Sequence, residues 1–426
     1  MKLSKNLKSF LSDSIIYTFL NILNKAIPFI LLPIIVRLVS TEIYGSYALF
    51  IVLESLLIPI ISLNIHVAIS THYYLDNINL KEYVSTIVLA FFGLTTIFFG
   101  IVLMLPESII LLSGLTKDFF LLAIFTASIM GLISMVSNLY RLQRKPWQYG
   151  FYSLGQSILL LTTILAFCLW MPNFLMLVLG RVTFAILFFT TTIFILFRSN
   201  FLTFTFSKNW FKRALKFSVP TAFYSLSAFI FLSSDRFLIN YFLGKEEVGL
   251  YSAIFQLASV VSVISMSLNA AWMPWLFENL KKNDKETNTF IVKLSYALIC
   301  GFLLIGVVAC LIFPFFARIV LPLEYHVHLS IAYPIIMGFV GQGIYFIVSP
   351  YIFYKEKTQY NAYIGGTVAI INVVLNAILI PKLGIQGAAY AALVTWSLLA
   401  ILFFIFSVKV HEMPWKQVLK NSLKLN

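Results

Sequence analysis

Residues Arg37–Phe50 read RLVSTEIYGSYALF, and residues Tyr241–Phe255 read YFLGKEEVGLYSAIF. Each passage closes an apolar run and turns through a short polar stretch with an acid, Glu42 or Glu247. Each then sets Gly and Tyr two residues apart, Gly45 with Tyr47 and Gly249 with Tyr251, ahead of a new apolar run. The glycines stand 204 positions apart in a chain of 426 residues, close to half its length. A motif that returns at the half-way point in the same direction predicts two tandem halves of like topology. In a membrane protein this gives parallel repeats related by an axis along the membrane normal, with a cavity between two lobes.

The runs on either side of these turns set the class. A helix that crosses a bilayer needs about 20 apolar residues. Runs of that kind fall at 14–38, 44–66, 83–104, 119–139, 149–170, 174–197, 214–240, 248–273, 290–313, 329–353, 360–380 and 387–408. The tightest boundary is MPNF between the fifth and sixth runs, where Pro172 favours a turn. The composition agrees: 60% of residues are hydrophobic and 11% charged, against roughly 25% charged in a soluble domain. So few polar residues cannot clothe a water-soluble fold of this size, and so apolar a chain is not disordered. A nucleic-acid binder is excluded as a class, because it spreads its cations over a solvated face. The expected fold is an all-α polytopic membrane protein of twelve transmembrane helices in two six-helix bundles.

The net charge of +14 follows the same topology. With the N-terminus in the cytoplasm, twenty-two of the thirty Lys and Arg fall on the cytoplasmic side. Five fall outside (Arg37, Lys117, Lys245, Arg318 and Lys382), and three lie within spans. That excess is a strong positive-inside signal. Both termini are therefore cytoplasmic, which requires an even number of spans. The division expected is 1–197 as the N-terminal six-helix lobe and 198–216 as a cytoplasmic inter-lobe linker. A C-terminal six-helix lobe follows at 214–408, then a basic cytoplasmic tail at 409–426. The tail, with Trp415, is expected on the anionic leaflet.

No motif of enzymatic chemistry stands out. Walker A and HExxH patterns are absent, and no nucleophile–base or paired-carboxylate constellation is present. Cys168, Cys300 and Cys310 sit in apolar runs without metal or redox spacing and are read as packing residues. His326 and His328 lie beside Glu324 in a short segment read as a solvated loop. The basic start MKLSKNLKSF precedes an apolar run too long for a signal-peptide core, so it reads as a first span that stays.

Three segments carry a family resemblance. PFILLPIIVRLVSTEIYGSYALF resembles the first-helix and turn signature of Wzx-type polysaccharide (O-antigen) flippases, the PST branch of the MOP superfamily. DRFLINYFLGKEEVGLYSAIFQLA resembles that family's seventh-to-eighth helix junction. NVVLNAILIPKLGIQGAAYAALVTW resembles its eleventh-to-twelfth junction, with Asn372, Asn376, Pro381, Gly384, Gly387, Ala388 and Ala389. The resemblance implies two MATE-like six-helix bundles, a V-shaped central cavity and alternating access. It also implies a substrate, an undecaprenyl-pyrophosphate-linked oligosaccharide carried across the bacterial inner membrane for O-antigen, lipopolysaccharide or other surface polysaccharide. The lipid bilayer, the glycan polymerase and the chain-length machinery are the partners implied, and nucleic acid is not among them. No enzymatic activity and no cofactor is called for; a proton or sodium gradient is open as a coupling source.

Charges inside the spans are the candidate site. An ionisable residue at mid-helix costs at least about 2.5–3.5 kcal/mol on insertion scales, so it faces a cavity or a partner. Lys25, Arg181 and Arg236 are the cations, and Glu54 and Asp235 the acids. Lys25 lies about 16 Å into the first span at 1.5 Å per residue, beside Asn21, Asn24 and Pro28. Pro28 and Pro33 predict a bend there. Arginine binds phosphate bidentately, so Lys25, Arg181 and Arg236 are read as a cationic substrate-binding set. Glu54 and Asp235 are read as coupling sites or charge partners, Glu54 of Lys25 or Arg181. Asp235 and Arg236, about 100° apart on one helix, are expected to serve different neighbours. Asn269, Gln342, Asn372 and Asn376 read as interhelical glue, and Trp147, Trp170, Trp210, Trp272, Trp275 and Trp415 as an aromatic belt. Two further readings stand beside the flippase: a MATE-like cation-coupled antiporter of small organic solutes, which favours an acid-dominated cavity, and a membrane glycan polymerase.

Overall fold

The computed structural model describes residues 5–73, 79–282, 284–357 and 359–423. Among them the chain is helical throughout, with turns and no strand. The first helices are α1 (Lys5–Leu38), α2 (Thr41–Ser62), α3 (Ala68–His72), α4 (Leu80–Met104), α5 (Glu107–Leu111), α6 (Lys117–Leu142), α7 (Pro146–Trp170) and α8 (Phe174–Arg198). Then come α9 (Lys208–Leu243), α10 (Lys245–Ala258), α11 (Val260–Leu280), α12 (Lys285–Val320), α13 (Ala332–Tyr354), α14 (Gln359–Leu383), α15 (Ile385–Val410) and α16 (Trp415–Leu423). Short 3-10 segments, Ile65–Val67 and Leu323–Ile331, precede α3 and α13. Eleven helical stretches among the described residues are long and apolar enough to cross a membrane, and α1 contains the first expected span. The twelve-helix membrane architecture therefore holds.

Local chemistry sets the helix ends. Ser40 accepts from Ile43 N at 3.3 Å and starts α2, and Asn173 accepts from Met176 N at 2.9 Å and starts α8 straight after Pro172. These caps satisfy amide groups that a helix start leaves without partners. The second span ends earlier than its apolar run. Leu63 and Asn64 take left-handed conformations (φ 44° and 52°), and the Ser62 hydroxyl donates to Ile58 O and accepts from Asn64 N. The Asn64 amide then reaches Thr221 O and Ser225 Oγ of α9, at 3.1 and 2.7 Å. The eighth span is interrupted at Ser259, whose hydroxyl donates to Gln256 O at 2.6 Å, so it becomes α10 followed by α11.

The chain divides into two compact units, Met1–Gly249 and Leu250–Asn426. In the first, α2 is central and packs on α6, α9, α8 and α4, while α1 lies on α7 and α7 on α8. Its core gathers Tyr83, Phe91, Leu132, Val136, Phe184 and Ala214. In the second, α13 is central between α15, α11 and α12, and α14 packs on α15. Gly341 lets α13 approach the Trp396 backbone of α15, and Gly384 (φ 62°) makes the turn between α14 and α15. Trp272 and Trp415 are buried rather than interfacial: the Trp272 indole donates to Ile347 O at 3.0 Å, and Trp415 packs edge-on against Tyr296, Tyr351 and Phe404. Trp147 and Trp170 stay exposed near helix ends, as a belt requires.

The repeated turn has a direct structural purpose. Within the first unit the start of α10 crosses the start of α2, and the two glycines meet. A Cβ on Gly45 would lie 1.8 Å from Lys245 O, and one on Gly249 would lie 2.0 Å from Thr41 O. Lys245 and Thr41 are themselves 204 positions apart, so the contact is reciprocal: each copy of the motif presses its glycine on the other copy's helix start. Gly45→Ala or Gly249→Ala should therefore destabilise the protein by about 3 kcal/mol or more, the upper end of the overpacking range. Gly93→Ala has open space and should be neutral or slightly stabilising. Thermal unfolding of the detergent-purified variants measures both.

Candidate functional site

All five charges named from the spans lie in the first unit. Arg181 of α8 and Glu54 of α2 meet directly: Arg181 Nε donates to Glu54 Oε2 in a buried ion pair. Arg181 is 9% exposed and Glu54 1%. The Tyr47 hydroxyl, about two helical turns before Glu54 on α2, lies within hydrogen-bonding reach of the guanidinium. Gly180, next to Arg181, brings α8 against the α7 backbone, where an added Cβ would lie 2.8 Å from Ile164 Cα. Glu54 Oε1, the other carboxylate oxygen, has no hydrogen-bond partner among the described residues.

Asp235 and Arg236 pair with each other. Arg236 Nη1 donates to Asp235 Oδ1 at 2.6 Å and to Leu232 O at 3.0 Å, and Asp235 Oδ1 also accepts from Arg236 N at 2.9 Å. The 100° between adjacent helical positions does not separate them, because the arginine stem is long enough to fold back over its own turn. Both are buried.

Lys25 differs. It is exposed on α1, which runs unbroken through Pro28 and Pro33. Its neighbour Asn24 turns the other way and ties α1 to α7, donating to Ser153 Oγ at 2.7 Å and accepting from Ser157 Oγ at 3.1 Å. Asn21 lies at a position whose side chain is outside the described residues. The structure therefore does not gather three bare cations; it gives two arginines each held by a carboxylate, and one exposed lysine. Tyr47 is the participant that sequence reasoning passed over, although its place in the repeated Gly-x-Tyr marked it.

Of the two asparagines of α14 read as interhelical glue, Asn372 bonds across to α15, while Asn376 bonds within α14. Asn372 Nδ2 donates to Thr395 Oγ1 at 3.1 Å, and Asn376 Nδ2 donates to Asn372 Oδ1 at 3.0 Å. His326 contacts Leu321 O through Nε2 at 3.0 Å and sits in a 3-10 turn rather than an irregular loop.

This apolar helical scaffold with charges paired inside it is that of a polytopic membrane protein. The chain belongs to the polysaccharide biosynthesis protein family, whose model matches residues 10–280. A protein of the Lsg locus of Haemophilus influenzae is 27% identical over 283 residues, 63% of this chain; the chain spans just under two thirds of that relative's length, 66%. Among solved structures, the lipid II flippase MurJ in an inward closed conformation superposes with a TM-score of 0.74 at 16% identity, over 96% of this chain and 90% of that one. An inward-facing multidrug resistance MATE family transporter of the MOP superfamily gives 0.69 at 15% identity, over 93% and 96%. These neighbours are transporters and flippases, not enzymes, and they share the fold of this chain.

The ion pair sets an expectation for stability. Arg181→Met leaves Glu54 buried without its partner and should cost about 3–5 kcal/mol. Adding Glu54→Leu should restore most of that loss, since an apolar pair of similar volume replaces an ionic one at little net cost. Unfolding midpoints of the single and double variants decide it.

Proposed function

We propose that the protein is a flippase that moves undecaprenyl-pyrophosphate-linked oligosaccharide units across the bacterial inner membrane by alternating access, for O-antigen or another surface polysaccharide. The observation that carries this reading is the family match over residues 10–280. The fold shared with a protein named as a lipid II flippase supports it.

In this reading Lys25 is the cation that meets the pyrophosphate. Its exposure on α1 suits a ligand contact better than the burial of the two arginines does. Arg181 and Arg236 serve the substrate through their pairs. As a phosphate approaches, the guanidinium exchanges part of its bond to Glu54 or Asp235 for a bidentate contact, and the carboxylate limits how tightly the anion is held. Glu54, with one oxygen unpartnered, is the group to take up a coupling proton or sodium ion. The glycan polymerase and the chain-length machinery receive the product on the far side.

Deletion should leave lipid-linked repeat units on the cytoplasmic face. Lys25→Ala should fail to restore export at normal protein level, while Lys25→Arg restores it. Units that reach the periplasm unpolymerised in the deletion strain would favour a polymerase instead. Full export by Lys25→Ala would remove the lysine from the site.

A further inference from the structure

Two cavities of the first unit lie along one track on α6 and α8, and the function above uses neither. The upper, about 510 Å3, is apolar and opens between α4, α6 and α8; Phe91, Phe92, Phe125, Ile129 and Phe189 line it. The lower, about 530 Å3, is mostly polar and sits where α6, the start of α7 and the end of α8 come together; Tyr140, Gln143, Lys145, Gln148 and Arg198 line it.

The α6 residues that line the two cavities form one stripe. Phe125, Ile129 and Leu132 continue as Val136, Leu139 and Gln143, the last capping the helix end, at steps of three and four. That spacing keeps them on one helix face. On α8, Ile186 and Thr190 continue as Phe194 and Arg198, at steps of four. The floor is buried at Leu132, Val136, Leu139 and Leu196, while Phe92, Ile186, Thr190 and Phe194 stand exposed on the rim. From Gln143 to Ile129 the helix rises about 21 Å at 1.5 Å per residue, enough to run from headgroup level past the mid-plane of a bilayer core about 30 Å thick.

We propose that this track holds one anionic glycerophospholipid of the cytoplasmic leaflet, with its phosphate at Lys145 and Arg198 and an acyl chain in the phenylalanine-lined cavity. Three observations carry the assignment. The polar cavity lies at the helix ends that the positive-inside pattern assigns to the cytoplasmic side, where the lipid phosphates are. Its two charged lining residues are both cations, no acid lines either cavity, and Gln143 and Gln148 add neutral donors. Basic pockets between transmembrane helices on this face suit anionic headgroups. The apolar cavity continues the track in the direction a chain must take. A headgroup cavity of this size, within the roughly 300–1,000 Å3 of small-molecule sites, suits a phosphoglycerol head rather than several sugars on a pyrophosphate. The site is independent of the substrate proposed above, so either can fail without the other.

The test uses the full-length purified chain in nanodiscs of phosphatidylethanolamine doped with phosphatidylglycerol, with undecaprenyl pyrophosphate as a third probe. Lipid retained on the protein is read by native mass spectrometry. Phosphatidylglycerol should be retained in preference to phosphatidylethanolamine. Lys145→Gln with Arg198→Gln should lower that retention roughly tenfold, and Lys145→Arg with Arg198→Lys should keep it. Thr190→Trp, which fills the upper cavity from its rim, should lower retention with both charges intact. Lys281→Gln with Lys282→Gln, on another cytoplasmic turn, should change nothing. Equal retention by the double glutamine variant and the wild type would overturn the proposal. So would retention of undecaprenyl pyrophosphate without phosphatidylglycerol.

Discussion

A charge inside hydrocarbon has no water to stabilise it, and most of what is distinctive in this protein answers that constraint. Arg181 and Glu54 are both buried deep in helices, and each is tolerable only because the other is there. Their pair also fixes α8 against α2, the helix about which the first unit is built. Asp235 and Arg236 answer the same problem within a single turn of α9. The remaining cations fall mostly on the side of the spans that the positive-inside rule assigns to the cytoplasm, so the large net charge reports topology and says little about substrate.

Close packing imposes the second constraint. The contact between Gly45 and Gly249 explains why the repeated motif keeps glycine in both copies. Each glycine lies against the helix start of the other copy, at the equivalent position. A side chain in either copy would push the same crossing apart, so the two positions answer to one steric requirement. Small residues also bring α8 against α7 and α13 against α15. In lipid, where apolar side chains gain nothing by leaving their solvent, such approaches are a main source of helix association.

The spans were legible because a bilayer demands internally bonded helices of a set length, and hydrophobic runs reveal them directly. Their ends were less so. The apolar run through Ile65 hid the left-handed pair Leu63 and Asn64, which stops α2 at Ser62, and the run through Ser259 hid the break between α10 and α11. Trp272 and Trp415 sat at span ends in the sequence yet went into the core, since position along a helix does not reveal which face meets a neighbour. Lys25, chosen for the cost of burying it, is exposed, whereas Glu54, Arg181, Asp235 and Arg236 were identifiable on that same ground. Their partners were only partly so: Glu54 and Arg181 are 127 residues apart, and among several pairings weighed only the fold selects one. Lys145 and Arg198 were counted toward topology, and nothing in their local sequence shows that they share a cavity.

The proposed function requires the protein to release what it binds, and this bears on the paired arginines. A site of three bare cations would hold a pyrophosphate strongly, and only binding that differs between states shifts an equilibrium. Translocation needs contacts that are gained and lost as the protein changes state. An arginine that begins bonded to a carboxylate meets this need, because phosphate must compete for the guanidinium and the carboxylate takes it back. The same logic separates the two ends of the proposed lipid-linked substrate. Its lipid chain never has to leave the bilayer, so only the head needs a polar route through the protein. A cation exposed on α1 backed by buffered arginines suits a passing head, whereas the unbuffered Lys145 and Arg198 beside an apolar groove suit a lipid that stays.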